Sequence, residues 1–215
     1  MVYPSRLSGG GCGSMKLVIG IGNPGREYAQ TRHNLGFRVV DAFGSRCGAM
    51  GARNRFHAEV SEARVGAESV LLLKPQTFVN NSGIAVREAL DWYRCPLEDM
   101  LVVCDDFALP LGQLRVRRRG SSGGHKGLQS IADALGTTEY PRLRLGIGHP
   151  PPPARCDRDY VLSPFCPDEL PVVEKMIATA VEAVLIWVEK GLPACMEAVN
   201  RRKATPAAAD REEPN

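Results

Sequence analysis

Two kinds of apolar pattern alternate along this chain. Residues 16–21, 69–73 and 100–104 are short unbroken apolar runs with β-branched side chains, which predict buried strands. Residues 113–117 and 143–147 alternate apolar with polar positions and predict half-buried strands; 56–63 predicts a more exposed one. Between them lie stretches of helical period. Leu35, Val39, Val40 and Phe43 mark a helix over 34–46, and Ile84, Ala85, Leu90 and Trp92 an apolar side for 82–93. A further helix is expected over 127–135. Val172, Val173, Met176, Ile177, Ala180, Val184, Leu185 and Val188 give 171–189 a long apolar stripe that Gly191 closes, and a shorter helix follows over 193–202.

This alternation predicts one α/β domain of three layers, α/β/α, around a twisted, mixed but largely parallel sheet. The segments 56–63 and 113–117 are the candidates for antiparallel members. Residues 1–14, rich in Gly and Ser, read as a disordered extension, 15–203 as the domain and 204–215 as a flexible tail. Four consecutive prolines, 150–153, predict a rigid surface connection.

Composition narrows the class. Apolar residues make up 44% and charged residues 24%, the balance of a globular domain. No run approaches the roughly 18 apolar residues of a membrane span. Seven cysteines, none in a C-x-x-C pair, and four scattered histidines suggest neither a disulfide framework nor a zinc site. A reducing, cytoplasmic setting is the simpler one.

Gly20, Gly22 and Gly25 satisfy G-x-G-x-x-G, the spacing of a dinucleotide loop. Such a loop works when a helix starts at once and offers its free N–H groups to the pyrophosphate. Here residues 26–32 have no apolar period, and Asp41 falls inside the helical pattern rather than at the end of a second strand. A tight turn after the first strand explains the glycines better.

Polar residues collect after strand ends, where open α/β sheets bind ligands. Asn23 follows the first strand, Asn80 follows the run that closes at Pro75, and Asp105 ends 100–104. Each suits a cap or turn as well as a site. His33, just before a helix, suits packing as well as general-base chemistry with a carboxylate such as Asp105 behind it. There is no G-x-S-x-G elbow, and Cys104 reads as the last apolar residue of its strand, so activated water fits better than a covalent intermediate. Between 114 and 146, Arg115, Arg117, Arg118, Arg119, Lys126, Arg142 and Arg144 face only Asp133 and Glu139. Arg115, Arg117 and Arg119 alternate onto one strand face. With the glycine-rich GSSGGHKG beside them, these residues suit either a solvated basic strand or a phosphate-bearing partner.

KLVIGIGNPGREYAQTRHNLGFRVVD, LLLKPQTFVNNSGIAV, LVVCDDFALPLGQLRVR, SSGGHKGLQSI and PRLRLGIGHP together resemble the bacterial-type peptidyl-tRNA hydrolase family, in order and spacing, from about 15 to 202. The resemblance implies a cofactor-free monomer. Such an enzyme hydrolyses the ester between peptide and tRNA and so recycles tRNA from peptidyl-tRNA that has left the ribosome. It implies His33 as catalytic base, Asp105 as its orienting carboxylate, and Asn23 and Asn80 as substrate-positioning amides. Tyr28, Phe78, Asn80 and Lys126 would border the peptide and the 3′ end of the acceptor stem, and Arg117 and Arg144 would hold the 5′ phosphate. One position departs from the family's G-G-H-N-G-L: Lys126 stands where asparagine is usual, and a charged lysine accepts no hydrogen bond. Activity is expected to persist with altered substrate preference. The alternative the resemblance leaves is an RNA-associated adaptor on the same scaffold, which would show an apolar patch around 128–160 and no catalytic groove.

Overall fold

The computed structural model describes residues 15–149 and 157–201. The expected extension (1–14), the prolines at 150–153 and the tail (204–215) lie outside the described residues. The chain runs β1 (Met15–Gly20), α1 (Leu35–Arg46), β2 (Met50–Arg55), β3 (Ala58–Val65), β4 (Glu68–Pro75), α2 (Ser82–Tyr93), β5 (Met100–Asp106), β6 (Leu114–Arg117), α3 (Lys126–Leu135), β7 (Arg142–Gly146), α4 (Asp157–Val161) and α5 (Leu170–Asn200). Short 3-10 turns cover Arg26–Tyr28, Arg32–Asn34, Val79–Asn81 and Leu97–Asp99.

The unbroken apolar runs become the middle of one seven-stranded sheet, β2-β3-β4-β1-β5-β7-β6. Strands β4, β1, β5 and β7 pair in parallel; β2 and β3 extend one side and β6 the other, all antiparallel. The sheet is therefore mixed, with a parallel centre and antiparallel flanks. Side chains alternate between its faces. Val18, Leu72, Leu101 and Val103 join α1 and α5 in one core, while Ile19, Leu71, Val102 and Cys104 join α2 and α3 in the other. These are the three layers the alternation predicts.

Two elements escape the hydrophobic pattern. Strand β2, MGARNR, is almost wholly exposed and exists because β3 offers it an edge. Phe56 and His57 are not strand residues but the hairpin turn, with φ of 56° and 50°. Left-handed values at both central positions are what a two-residue hairpin demands. Helix α4 is too short to carry a period.

The helical stripes are also narrower than their sequences suggest. In α2, Gly83, Val86, Ala89 and Leu90 are buried, whereas Ile84 and Trp92 are 48% and 45% exposed. In α5, Val172 is exposed, while Trp187, absent from the expected stripe, is fully buried beside Val184 and Val188. Gly191, at φ 79° and ψ 177°, breaks α5 before Pro193, which has no N–H for the helical ladder. The second piece ends on Asn200, whose side chain accepts from Val116 N–H and donates to Val116 C=O, both at 3.0 Å. Those two bonds occupy the free edge of β6.

The first glycine of the signature, Gly20, is a packing position, and Gly25, at φ 113°, is a turn. A side chain on Gly20 would collide with the carbonyl of Gly36; one on Gly36 would strike the backbone of Ile21 and, at 2.5 Å, the carbonyl of Val103. Helix α1 thus rests directly on β1 and β5. Asp41 lies on its outer face, 2.6 Å from Lys74, far from any ribose-binding role. Gly36→Ala is expected to destabilise the fold by about 3 kcal/mol, because backbone rather than a movable side chain must yield. Urea unfolding of the variant beside wild type checks this.

Candidate active site

Parallel pairing brings the carboxyl ends of β1, β4, β5 and β7 to one edge. The chain leaves β1 towards β4 on one side and later returns to β5 on the other, which opens a crevice at that edge. A cavity of about 620 Å³ occupies it. Its lining includes Asn23, Tyr28, His33, Phe78, Asn80, Asp105, Lys126 and Arg144, eight of the nine residues that the sequence nominates. Arg117 is apart, exposed on β6.

Asp105 is the hub. It is the penultimate residue of β5, 3% exposed, and its Oδ1 lies 2.8 Å from His33 Nδ1 and 3.2 Å from His125 Nε2. The rings of the two histidines are 4.9 Å apart. His125 Nδ1 accepts from the backbone N–H groups of Gly127 and Leu128, at 3.1 and 3.3 Å, so it caps α3. An accepting Nδ1 carries no proton, which places the proton of neutral His125 on Nε2, towards Asp105. Neutral His33 donates from Nδ1 to the same oxygen, and its Nε2 lone pair is left for a substrate or water. Burial opposes the charged form of Asp105, but the two imidazoles hold its carboxyl far below the usual carboxylate range. Burial lowers the pKa of His33, and the charge and hydrogen bond of Asp105 outweigh it, so His33 ends above the ordinary histidine value.

His125 is the residue that sequence reasoning missed as a site member. The available signal was its place at the end of a glycine loop immediately before a helix. Cys104, next to Asp105, is fully buried in the core shared with α2 and α3, and burial pushes its thiol up out of the reactive range.

Asn23 is fixed on three sides. Its N–H donates to Asn34 Oδ1, its C=O accepts from Asn34 Nδ2, both at 2.9 Å, and its side-chain oxygen accepts from Val79 N–H at 3.0 Å. The amide NH₂ is what remains to meet a ligand. Asn80 stands exposed on the turn Val79–Asn81. Tyr28 and Phe78 meet edge to face, with centroids 6.4 Å apart, at the same cavity.

The basic segment divides. Arg142 is buried, stacked 4.2 Å from Tyr140, and donates to the carbonyls of Ser121 and Thr138, so it is structural rather than phosphate-facing. Arg144 lines the cavity and pairs with Asp106 at 2.5 Å. Strand β6 ends at Arg117, so Arg119 does not share its face; it pairs with Glu139 at 3.2 Å. Arg115, Arg117 and Arg118 are exposed without an acidic partner among the described residues. His33, Asp105 and His125 also form the one group among the described residues with donor atoms close enough to hold a metal. Hydrogen bonds account for both contacts to Asp105, since each imidazole turns a protonated nitrogen to it.

The chain matches the peptidyl-tRNA hydrolase family profile over residues 17–207. It is 50% identical over 181 residues to the peptidyl-tRNA hydrolase of Thermus thermophilus, covering 84% of this chain and 93% of that one. It is 44% identical over 186 residues to that of Syntrophomonas wolfei, covering 86% and 100%. The crystal structure of peptidyl-tRNA hydrolase from Acinetobacter baumannii superimposes with a TM-score of 0.81 at 33% identity, covering 89% of this chain and 98% of that one. These likenesses define a hydrolytic enzyme, and its pocket lies at the carboxyl edge of an open α/β sheet. The chain belongs to the peptidyl-tRNA hydrolase family.

Proposed function

We propose that this enzyme releases peptide from peptidyl-tRNA by direct attack of water, with His33 as general base, and so returns tRNA from dropped-off peptidyl-tRNA to translation. The observation that carries the reading is the His33–Asp105 contact at the cavity, which leaves His33 Nε2 as the free base. In this mechanism His33 takes a proton from water as the oxygen attacks the ester carbonyl. The NH₂ group of Asn23 and the amide of Asn80 donate to the oxygen that gains charge. The tetrahedral intermediate collapses by breaking the bond to the ribose oxygen, and the His33 imidazolium returns its proton to that leaving oxygen. Asp105 holds the ring in the required tautomer and stabilises its charge; His125 steadies Asp105.

The reading extends to binding. Tyr28 and Phe78 flank the peptide and the 3′-terminal nucleotide. Lys126, exposed at the cavity rim, meets RNA phosphate or a peptide carboxylate, and Arg117 with Arg144 holds the 5′ phosphate of the acceptor stem. The enzyme works as a cytoplasmic monomer. An adaptor lacking activity would need neither the cavity nor the paired base, and no observation favours it. Release of peptide from N-acetyl-aminoacyl-tRNA by the purified chain, in the presence of a chelator, tests the proposal; a folded protein that binds tRNA and releases nothing would sink it.

Arg117→Ala is expected to weaken tRNA binding while leaving cleavage of a minimal acyl-adenosine ester near wild type. The slope of log affinity against log salt should become shallower by roughly 0.7 to 0.9 for each phosphate that is no longer neutralised. A salt titration of binding reads this, and equal losses on both substrates would assign Arg117 to folding instead.

A further inference from the structure

Immediately before the base lies a buried charge that the mechanism above does not use. Arg32 is 4% exposed, on the same 3-10 turn as His33. Its guanidinium makes a two-pronged contact to Glu169, at 3.1 and 2.6 Å, and lies 4.5 Å from the ring centres of both Tyr160 and Phe165. Glu169 Oε2 also accepts from Cys166 N–H at 2.7 Å. The backbone repeats the attachment: Arg32 N–H donates to Ser163 C=O at 3.0 Å, and Thr31 bridges Pro164. Tyr160 in turn donates to the C=O of Ile147, the residue after β7, at 2.6 Å.

Stability is a poor explanation for this arrangement. An ion pair with one buried partner, Arg32 at 4% and Glu169 at 21% exposure, seldom outperforms well-packed apolar residues, and Arg32 Nε is buried without a hydrogen-bond partner. The pair does hold geometry, because a planar fork on a carboxylate allows little rotation or sliding. It joins two neighbouring segments that both line one cavity: the turn that carries His33, and the segment that contributes Arg158, Val161 and Leu162.

We infer that Arg32 and Glu169 form a positioning clasp, which sets the height of the His33 turn so that Nδ1 meets Asp105 while Nε2 faces the cavity. The inference rests on the hydrolase reading of the site. Asp105 alone fixes the tilt of the imidazole; the clasp fixes the backbone from which the ring hangs. Loosening it lengthens the His33–Asp105 contact. The influence that raises the His33 pKa then weakens, and the acid limb of activity moves to lower pH. The other ionisable groups around His33 are His125, Tyr28, Lys126, Arg158 and the Asp106–Arg144 pair. The variants below leave all of them in place.

The test uses substitutions that keep both charges, so that no limb shift can arise from a change in net charge. Glu169→Asp shortens the reach by one methylene, and Arg32→Lys keeps the cation but removes the fork. Each should lower kcat on peptidyl-tRNA by about tenfold or more with KM little changed, as expected when a reacting group is displaced slightly. Each should also move the acid limb of kcat to lower pH, matched by a lower His33 pKa in a proton NMR titration of its imidazole. A folded Glu169→Asp variant with wild-type kcat, limb and His33 titration overturns the clasp, and Arg32→Lys decides the matter if Glu169→Asp does not fold. The NMR titration needs no substrate. An inactive wild type with a shifted His33 in the variants would therefore refute the hydrolase reading and leave the clasp standing.

Discussion

His33→Ala is expected to lower peptide release from N-acetyl-aminoacyl-tRNA by at least about 10²- to 10⁴-fold, the range that a positioned general base supplies. Binding of tRNA should survive, because the residues assigned to phosphate, Arg117 on β6, Arg144 on β7 and Lys126 on α3, are left in place. The fold should survive as well. The His33 side chain is 12% exposed and contributes to neither core, and Asp105 keeps its contact with His125. Single-turnover release, tRNA affinity and thermal melting on the same preparation separate these effects. A folded variant that turns over normally would remove His33 from the mechanism, and with it the reading of Asp105 as its partner.

Asp105→Asn should cost a comparable factor, about 10²-fold or more, and should also change the shape of the pH profile. The direction follows from the opposing influences on His33. Burial lowers its pKa; the charge and hydrogen bond of Asp105 raise it and prevail. Without the charge, burial prevails, and the His33 pKa falls below the ordinary histidine value. A general base works only when neutral, so the wild-type acid limb lies above that ordinary value and the variant's limb lies at lower pH. The asparagine can also present NH₂ to an imidazole nitrogen and favour the wrong tautomer, which lowers the plateau as well. A rate profile from about pH 4.5 to 9, spanning both sides of the ordinary histidine range, distinguishes the two consequences. A variant whose limb stays in place while its plateau drops would mean that Asp105 orients His33 without controlling its charge.

Much of this was legible in the chain itself, for identifiable reasons. The parallel core announces itself because strands buried on both faces must be apolar throughout, as 69–73 and 100–104 are. Asn23, His33, Asn80 and Asp105 could be nominated together because the ends of such strands and the turns after them converge in an open α/β sheet. Rejecting the dinucleotide reading was also possible, since residues 26–32 lack a helical period; the collision between Gly20 and Gly36 then explains why glycine is needed.

What the sequence concealed is equally specific. Strand β2 has no pattern, since an exposed edge strand needs only a neighbour to pair with. Arg142 and Arg144 look alike two residues apart. Tyr140 and two carbonyls claim the first, while the cavity and Asp106 claim the second. His125 reads as one polar residue of a glycine loop until α3 requires a cap and Asp105 a second donor. The clasp between Arg32 and Glu169 joins residues 137 apart in the chain, and nothing local to either residue signals it.

The chain by itself thus determined the kinds of element, their order, the layered architecture and the family, because these follow from periodicity and from motifs contiguous in sequence. Tertiary structure alone decided which arginines are free, which histidine joins His33 at Asp105, how Asn23 is turned and what holds His33 in place. Those properties depend on distances between residues far apart in sequence and on the desolvation that folding imposes, and neither exists until the sheet has closed its crevice.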